Sequence, residues 1–176
     1  MDRKKIERLI IIVTAVFVVL SLLFMFGGSI FRSSGKSRRS DSTVMPEATS
    51  TTSEIKRGAV IEQDFINTSD TISKVGIVFA RNAYREGINI VIELLEGSNV
   101  LASASVDSGA IEDQHRTYVE PSAALTGMKN KQLTLRIYPD SKDDTGLMVM
   151  MSKDADSTFR FDNKTVKGTL CFSVTE

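Results

Sequence analysis

The chain has 176 residues, room for one domain of ordinary size and a tail. Its 22 Lys+Arg and 22 Asp+Glu cancel overall but not locally: residues 1–57 carry 10 basic and 5 acidic side chains, net +5, and residues 58–176 carry 12 and 17, net −5. An acidic C-terminal part argues against a nucleic-acid grip, which needs clustered cations to displace counterions from phosphates, and a single cysteine, Cys171, excludes an internal disulfide.

Residues 1–8 form a short basic tail holding Arg3, Lys4, Lys5 and Arg8. Residues 9–26 then read LIIIVTAVFVVLSLLFMF, eighteen positions without a charge. At 1.5 Å per residue a helix of that length spans roughly 27 Å, and continuing to residue 31 carries it past about 30 Å, the thickness of a bilayer core. The run therefore reads as a transmembrane helix over residues 9–31, in contact with membrane lipid. A cleaved secretory signal is the rival reading; its apolar stretch would be shorter, about 7–15 residues, and would end at a small-x-small site. Arg32, Lys36, Arg38 and Arg39 follow the run, so flanking charge alone does not orient it. The dense charge of the short N-terminal tail places that tail in the cytoplasm and the C-terminal part outside, a single-pass arrangement in the cell membrane.

Residues 32–57, RSSGKSRRSDSTVMPEATSTTSEIKR, are rich in Ser and Thr and almost without large apolar groups. Such a stretch buries too little surface to offset its ordering entropy, and reads as a disordered linker.

After Gly58 short alternating apolar stretches begin, the pattern of half-buried strands. Ile61, Gln63 and Phe65 open the series; Val75, Ile77 and Phe79 follow, with an irregularity near Ser73-Lys74. Ile88, Ile90, Ile92 and Leu94 alternate most clearly, with Glu93 on the opposite face, and turn at Glu96-Gly97-Ser98-Asn99 into a return strand from Val100 to Val106. Arg116 to Val119 forms a short strand before Pro121, and Leu133, Leu135 and Ile137 alternate up to Pro139-Asp140. Leu147, Val149 and Met151 come next, then Phe159 and Phe161 before a turn at Asp162-Asn163-Lys164, and Leu170, Phe172 and Val174 close the chain. The pattern predicts an all-β domain over residues 58–176: an antiparallel, jelly-roll-like β-sandwich of about eight or nine strands, with an up-and-down barrel as the alternative.

The Gln-x-Phe strand, followed by GIVFARNAYREG, INIVIELLEG, IEDQHRTYVEP and LTLRIYPD, resembles the jelly-roll, galactose-binding-like modules of bacterial membrane-anchored cell-envelope proteins. The likeness runs from about residue 60 to the end, and Tyr84-Arg85 is its most particular part. It implies an extracytoplasmic sandwich associated with polysaccharide handling, and it transfers no catalytic residues.

The residues themselves offer little chemistry. His115 is the only histidine, lies in a polar stretch, and has no serine in a nucleophile setting, so neither a triad nor a zinc site can be assembled. Asp140, Asp143 and Asp144, and Asp154, Asp156 and Asp162, fit no calcium-loop spacing and are interspersed with Lys142 and Lys153. No catalytic residue, metal ligand or cofactor is expected. Sugar rings stack on exposed aromatics; with no Trp, the candidates are tyrosines with nearby guanidinium donors, and Arg81, Tyr84, Arg85, Arg116 and Tyr118 are the expected ligand-binding residues. The reading is a non-enzymatic binding or adaptor module of the cell envelope whose partner is an envelope protein or a glycan. The alternative is a structural subunit of a membrane complex with no soluble ligand.

Overall fold

The computed structural model describes residues 46–176. The tail 1–8, the transmembrane segment 9–31 and the first part of the linker lie outside the described residues. Among the described residues no helix is long and apolar enough to cross a membrane.

Twelve strands follow one another, with one short 3-10 helix, Ser108–Ala110, as the only helical element among the described residues. They are β1 (Ser50–Thr51), β2 (Ile61–Ile66), β3 (Lys74–Arg81), β4 (Asn89–Glu96), β5 (Asn99–Asp107), β6 (Arg116–Val119), β7 (Gln132–Asp140), β8 (Leu147–Ser152), β9 (Thr158–Phe161), β10 (Lys164–Lys167), β11 (Thr169–Leu170) and β12 (Phe172–Thr175). Two antiparallel six-stranded sheets result. The first runs β1-β8-β3-β12, with β11 beside β8 and β6 beside β3; the second runs β10-β9-β2-β7-β4-β5. The fold is all-β and sandwich-like. The strand total exceeds the expected eight or nine because the sequence pattern did not separate out the two-residue strands β1 and β11 or the edge strand β10.

Alternation assigns the inner faces. On β7, Leu133, Leu135 and Ile137 are fully buried while Thr134, Arg136 and Tyr138 between them are half-buried on the outer side. Ile90, Ile92 and Leu94 of β4 and Ile77 and Phe79 of β3 behave likewise, and one apolar core joins residues of both sheets. Gln63 is the polar exception at an inward position. Its amide donates to the carbonyl of Thr158 (3.2 Å) and its oxygen accepts from the Leu170 N–H (3.2 Å), so it bridges β9 of one sheet and β11 of the other. A buried amide satisfied on both atoms holds the sheets in one alignment.

Turn chemistry follows the sequence. Asp162 and Asn163 take φ of 50° and 62°, the left-handed pair that a two-residue hairpin between β9 and β10 requires.

The linker expectation needs correction at its C-terminal end. Residues 46–57 belong to the sandwich: β1 pairs with β8 through Ser50↔Met151 and Thr51↔Met150, and Ile55 is completely buried. Thr52 accepts from the Val149 N–H (3.0 Å), and the Ile55 carbonyl accepts from the Thr145 hydroxyl (2.8 Å). Low hydrophobicity misled because a short edge strand needs one apolar anchor and a row of hydrogen-bonding groups, and Ser and Thr supply the latter.

Candidate functional site

The five residues expected to bind a ligand separate into two groups. Val75, Ile77 and Phe79 of β3 face the core, and Arg81 ends the strand on that same parity; Arg116 and Tyr118 of β6 sit opposite Val78 and Gly76, on the outward parity. The two groups therefore lie on different sides of the first sheet.

Arg81 works inside the protein. Its Nη2 donates to the carbonyls of Ser108 (3.0 Å) and Ile111, and its backbone N–H donates to Asp113 (2.7 Å), which ties the end of β3 to the 3-10 helix. Tyr84 stacks on that guanidinium at 4.8 Å and is 63 % exposed, with its hydroxyl donating to Glu86. That hydrogen bond to Glu86 raises the Tyr84 phenol above its ordinary value. The Arg85 carbonyl accepts from the Ser108 hydroxyl (2.9 Å), leaving the exposed Arg85 side chain beside Glu86, Asp143 and Asp144 at a polar depression. The neighbourhood is acidic, and Tyr84 is its one aromatic.

Arg116 donates to the Tyr118 hydroxyl (3.1 Å), and Lys74 lies 5.6 Å from the centre of the same ring and 2.6 Å from the Glu120 carboxylate. Gly76 lies directly beneath: a Cβ there would approach Arg116 Cδ to 2.8 Å and Tyr118 Cε1 to 2.9 Å. The two side chains lie down on the glycine and cover the buried Ser173 hydroxyl, which has no hydrogen-bond partner among the described residues. The surface is closed there, with Tyr118 still 48 % exposed.

A broader, open hollow lies elsewhere, on the outward face of the second sheet. Register places Arg160 of β9, Glu62 of β2, Arg136 of β7 and Glu93 of β4 side by side, one per strand. Charges alternate along this row. Glu62 accepts from Arg136 Nε at 2.7 Å and from Arg160 Nε at 3.0 Å, and Arg136 Nη1 reaches Glu93 at 3.4 Å. Tyr138 donates to Glu93 (3.0 Å), Thr134 donates to Asp64 (2.7 Å), and Arg160 Nη1 meets Asp64 at 3.1 Å. Above Glu62, Arg136 and Glu93 lies an open hollow of about 580 Å³, bordered by Val60, Val100, Tyr138 and the Asp162-Asn163 turn.

The electrostatics follow from the pairing. Burial pushes the Glu62 carboxyl upward, but the hydrogen bonds and charges of Arg136 and Arg160 together outweigh it and hold the group below its usual value. The Glu62 hydrogen bond in turn raises both guanidinium groups. Burial, with the Glu93 hydrogen bond, raises the Tyr138 phenol.

Each member of the row is a charged residue at an outward strand position: Glu62 in IEQDFI, Glu93 in NIVIELLE, Arg136 in QLTLRIYPD and Arg160 in TFRF. That was the available signal. Register, which aligns the four, has no local sequence signature.

His115 is exposed, with Nδ1 2.9 Å from the Asp113 carbonyl and 4.0 Å from Glu112. Among the described residues, no three His, Cys, Asp or Glu side chains come together as a metal site.

No protein-family model and no curated protein matches this chain.

Proposed function

We propose that the chain is a membrane-anchored, extracytoplasmic recognition module of the cell envelope that holds a neutral, polyhydroxylated ligand of the glycan type in the hollow over the second sheet. The observation that carries this reading is the alternating stretch Glu62, Arg136, Glu93 beneath that hollow, continued on β9 by Arg160. In the lining Glu62, Glu93 and Asp162 outnumber Arg136, which disfavours an anionic ligand while offering charged donors and acceptors to a neutral one. Hydroxyl groups, which donate and accept, match such a row, and hydrogen bonds to charged groups are the stronger ones. The Tyr138 ring and Val60 supply the apolar border against which a pyranose face packs. The row is already paired within the protein and so pre-organised, which lowers the ordering cost of binding.

In this reading residues 9–31 span the membrane with the N-terminus in the cytoplasm, the strands connect as a jelly roll of the galactose-binding-like kind, and the module performs no catalysis. The alternative, a structural subunit seated on a partner through a broad apolar face, draws less support. The exposed large apolar side chains among the described residues are Ile66, Tyr84, Val100 and Tyr118, and they come from separate elements.

The test is an array of neutral and acidic envelope glycans probed with the full-length protein in nanodiscs. Binding to neutral glycans that weakens about tenfold or more in Arg136→Gln and Tyr138→Ala supports the reading, that loss corresponding to about 1.4 kcal/mol. A silent array, together with one stoichiometric partner in a pull-down from native membranes, would replace it with the structural-subunit role.

A further inference from the structure

A second opening lies at the end of the sandwich, between the edge strand of each sheet. β10 is the outer strand of the second sheet and β1 of the first. Register pairs Lys164 with Phe161 and Val166 with Phe159, so these four side chains share the core-facing side of the β9–β10 hairpin. Opposite them stand Thr51 and Thr52 with Met151 and Lys153 of the β8 side. The sheets do not close over one another here, and a cleft of about 390 Å³ remains, within the size range of small-molecule sites.

Its lining is two-toned. Phe159 and Met151 are buried at the bottom, with Phe161 and Val166 half-buried above them, while Lys153, Lys164 and Lys167 stand exposed around the opening. Residues 58–176 hold 12 basic side chains against 17 acidic ones, so three lysines at one apolar opening run against the trend of the domain. Like Lys56, Lys129 and Lys142, and unlike Lys74 and Lys131, which pair with Glu120 and Glu96, these three make no ion pair among the described residues; what sets them apart is that they share one apolar opening. The one carboxylate in the lining, Asp162, is held in its turn, accepting from the Val60 N–H at 2.9 Å.

We propose that this cleft binds an anionic amphiphile, with an alkyl tail against Phe159, Phe161, Val166 and Met151 and a phosphate or carboxylate head on Lys153, Lys164 and Lys167. Apolar lining alone would take any tail. The clustered cations select the charge of the head, and the apolar lining makes affinity depend on tail length, each buried methylene tightening binding about fourfold. Two sources share this chemistry, a free amphiphile and an anionic lipid of the bilayer. The second depends on the membrane anchor proposed above, and the first does not.

The experiment is lysine footprinting of the full-length protein in phosphatidylcholine nanodiscs, with acylation of each amine read by mass spectrometry. Hexyl phosphate is expected to protect Lys153, Lys164 and Lys167 while Lys129 and Lys142 go on reacting. Butyl phosphate is expected to need about 15-fold more for the same effect, two methylenes at about fourfold each. Discs carrying phosphatidylglycerol provide the second arm: protection there without added ligand assigns the site to bilayer lipid, and protection by hexyl phosphate alone assigns it to a free amphiphile. Val166→Asn and the exposed pair Lys164→Gln/Lys167→Gln should each weaken protection of Lys153, whereas Arg136→Gln in the glycan hollow should leave it intact. Equal protection by inorganic phosphate, protection of Lys129 and Lys142 in step with the three, or no protection in either arm overturns the proposal.

Discussion

Glu62→Gln tests the charged row most directly, because the change keeps shape and removes only the charge. Glu62 binds two guanidinium groups, at 2.7 and 3.0 Å, with its own side chain 16 % exposed. A hydrogen bond to a charged group contributes about 1.5–3 kcal/mol, and a fully exposed ion pair about 0.2–1 kcal/mol. Arg136 and Arg160 are each open to water by about a third or more, which places the pairing nearer the lower range, and glutamine keeps one acceptor. The expected cost at neutral pH is therefore about 1.5 kcal/mol. With a urea slope of about 2 kcal/mol/M for a domain of this size, the midpoint should fall by about 0.75 M. The Glu62 carboxyl is held below its ordinary value of 4.5 in the folded state, so its contribution is complete above that pH and disappears as pH falls through the folded value. Wild type and variant, compared as fragments of residues 40–176, should differ at pH 7 and converge in acid, because protonated glutamic acid and glutamine are near-isosteres. A midpoint gap that persists undiminished at pH 3, or one below about 0.2 M at pH 7, would refute the reasoning.

Three further outcomes are expected. Ile55→Ala should cost about 2–5 kcal/mol in urea unfolding, and a fragment beginning at residue 58 should be less stable than one beginning at residue 40, because Ile55 is fully buried and Thr52 supplies hydrogen bonds to β8. Gly146→Ala should destabilise by about 3 kcal/mol or more in thermal melts, since φ is +69° and the added Cβ would run into the Ala83 carbonyl. Burial pushes the Cys171 thiol up to about 11, so it should resist thiol reagents at pH 8 until urea is added; the unfolded chain releases that proton from about pH 9, and stability should fall as pH rises from 9 to 11, less steeply in Cys171→Ala.

Much of the fold was legible in the chain because alternation is a local property. Leu133, Leu135 and Ile137, or Ile90, Ile92 and Leu94, announce a strand and its buried face without reference to any neighbour, and Asp162-Asn163 announces a hairpin through the left-handed conformations those residues tolerate. Composition failed at residues 46–57, where one isoleucine and two threonines sufficed to seat an edge strand that overall polarity disguised.

The candidate site divides along the same line. Tyr84, Arg85, Arg116 and Tyr118 stood out as residue types, but type says nothing of which side chains converge. Tertiary structure places Arg81 on backbone carbonyls and lays Arg116 and Tyr118 over Gly76. It also aligns Glu62, Glu93, Arg136 and Arg160, which are separated by up to 98 positions in sequence, into one row. Strand identity comes from the period-two pattern each segment carries; the neighbours of a strand and their register come from burying all the apolar faces at once, and only that collective choice assembles the charged row and the lysine-rimmed cleft.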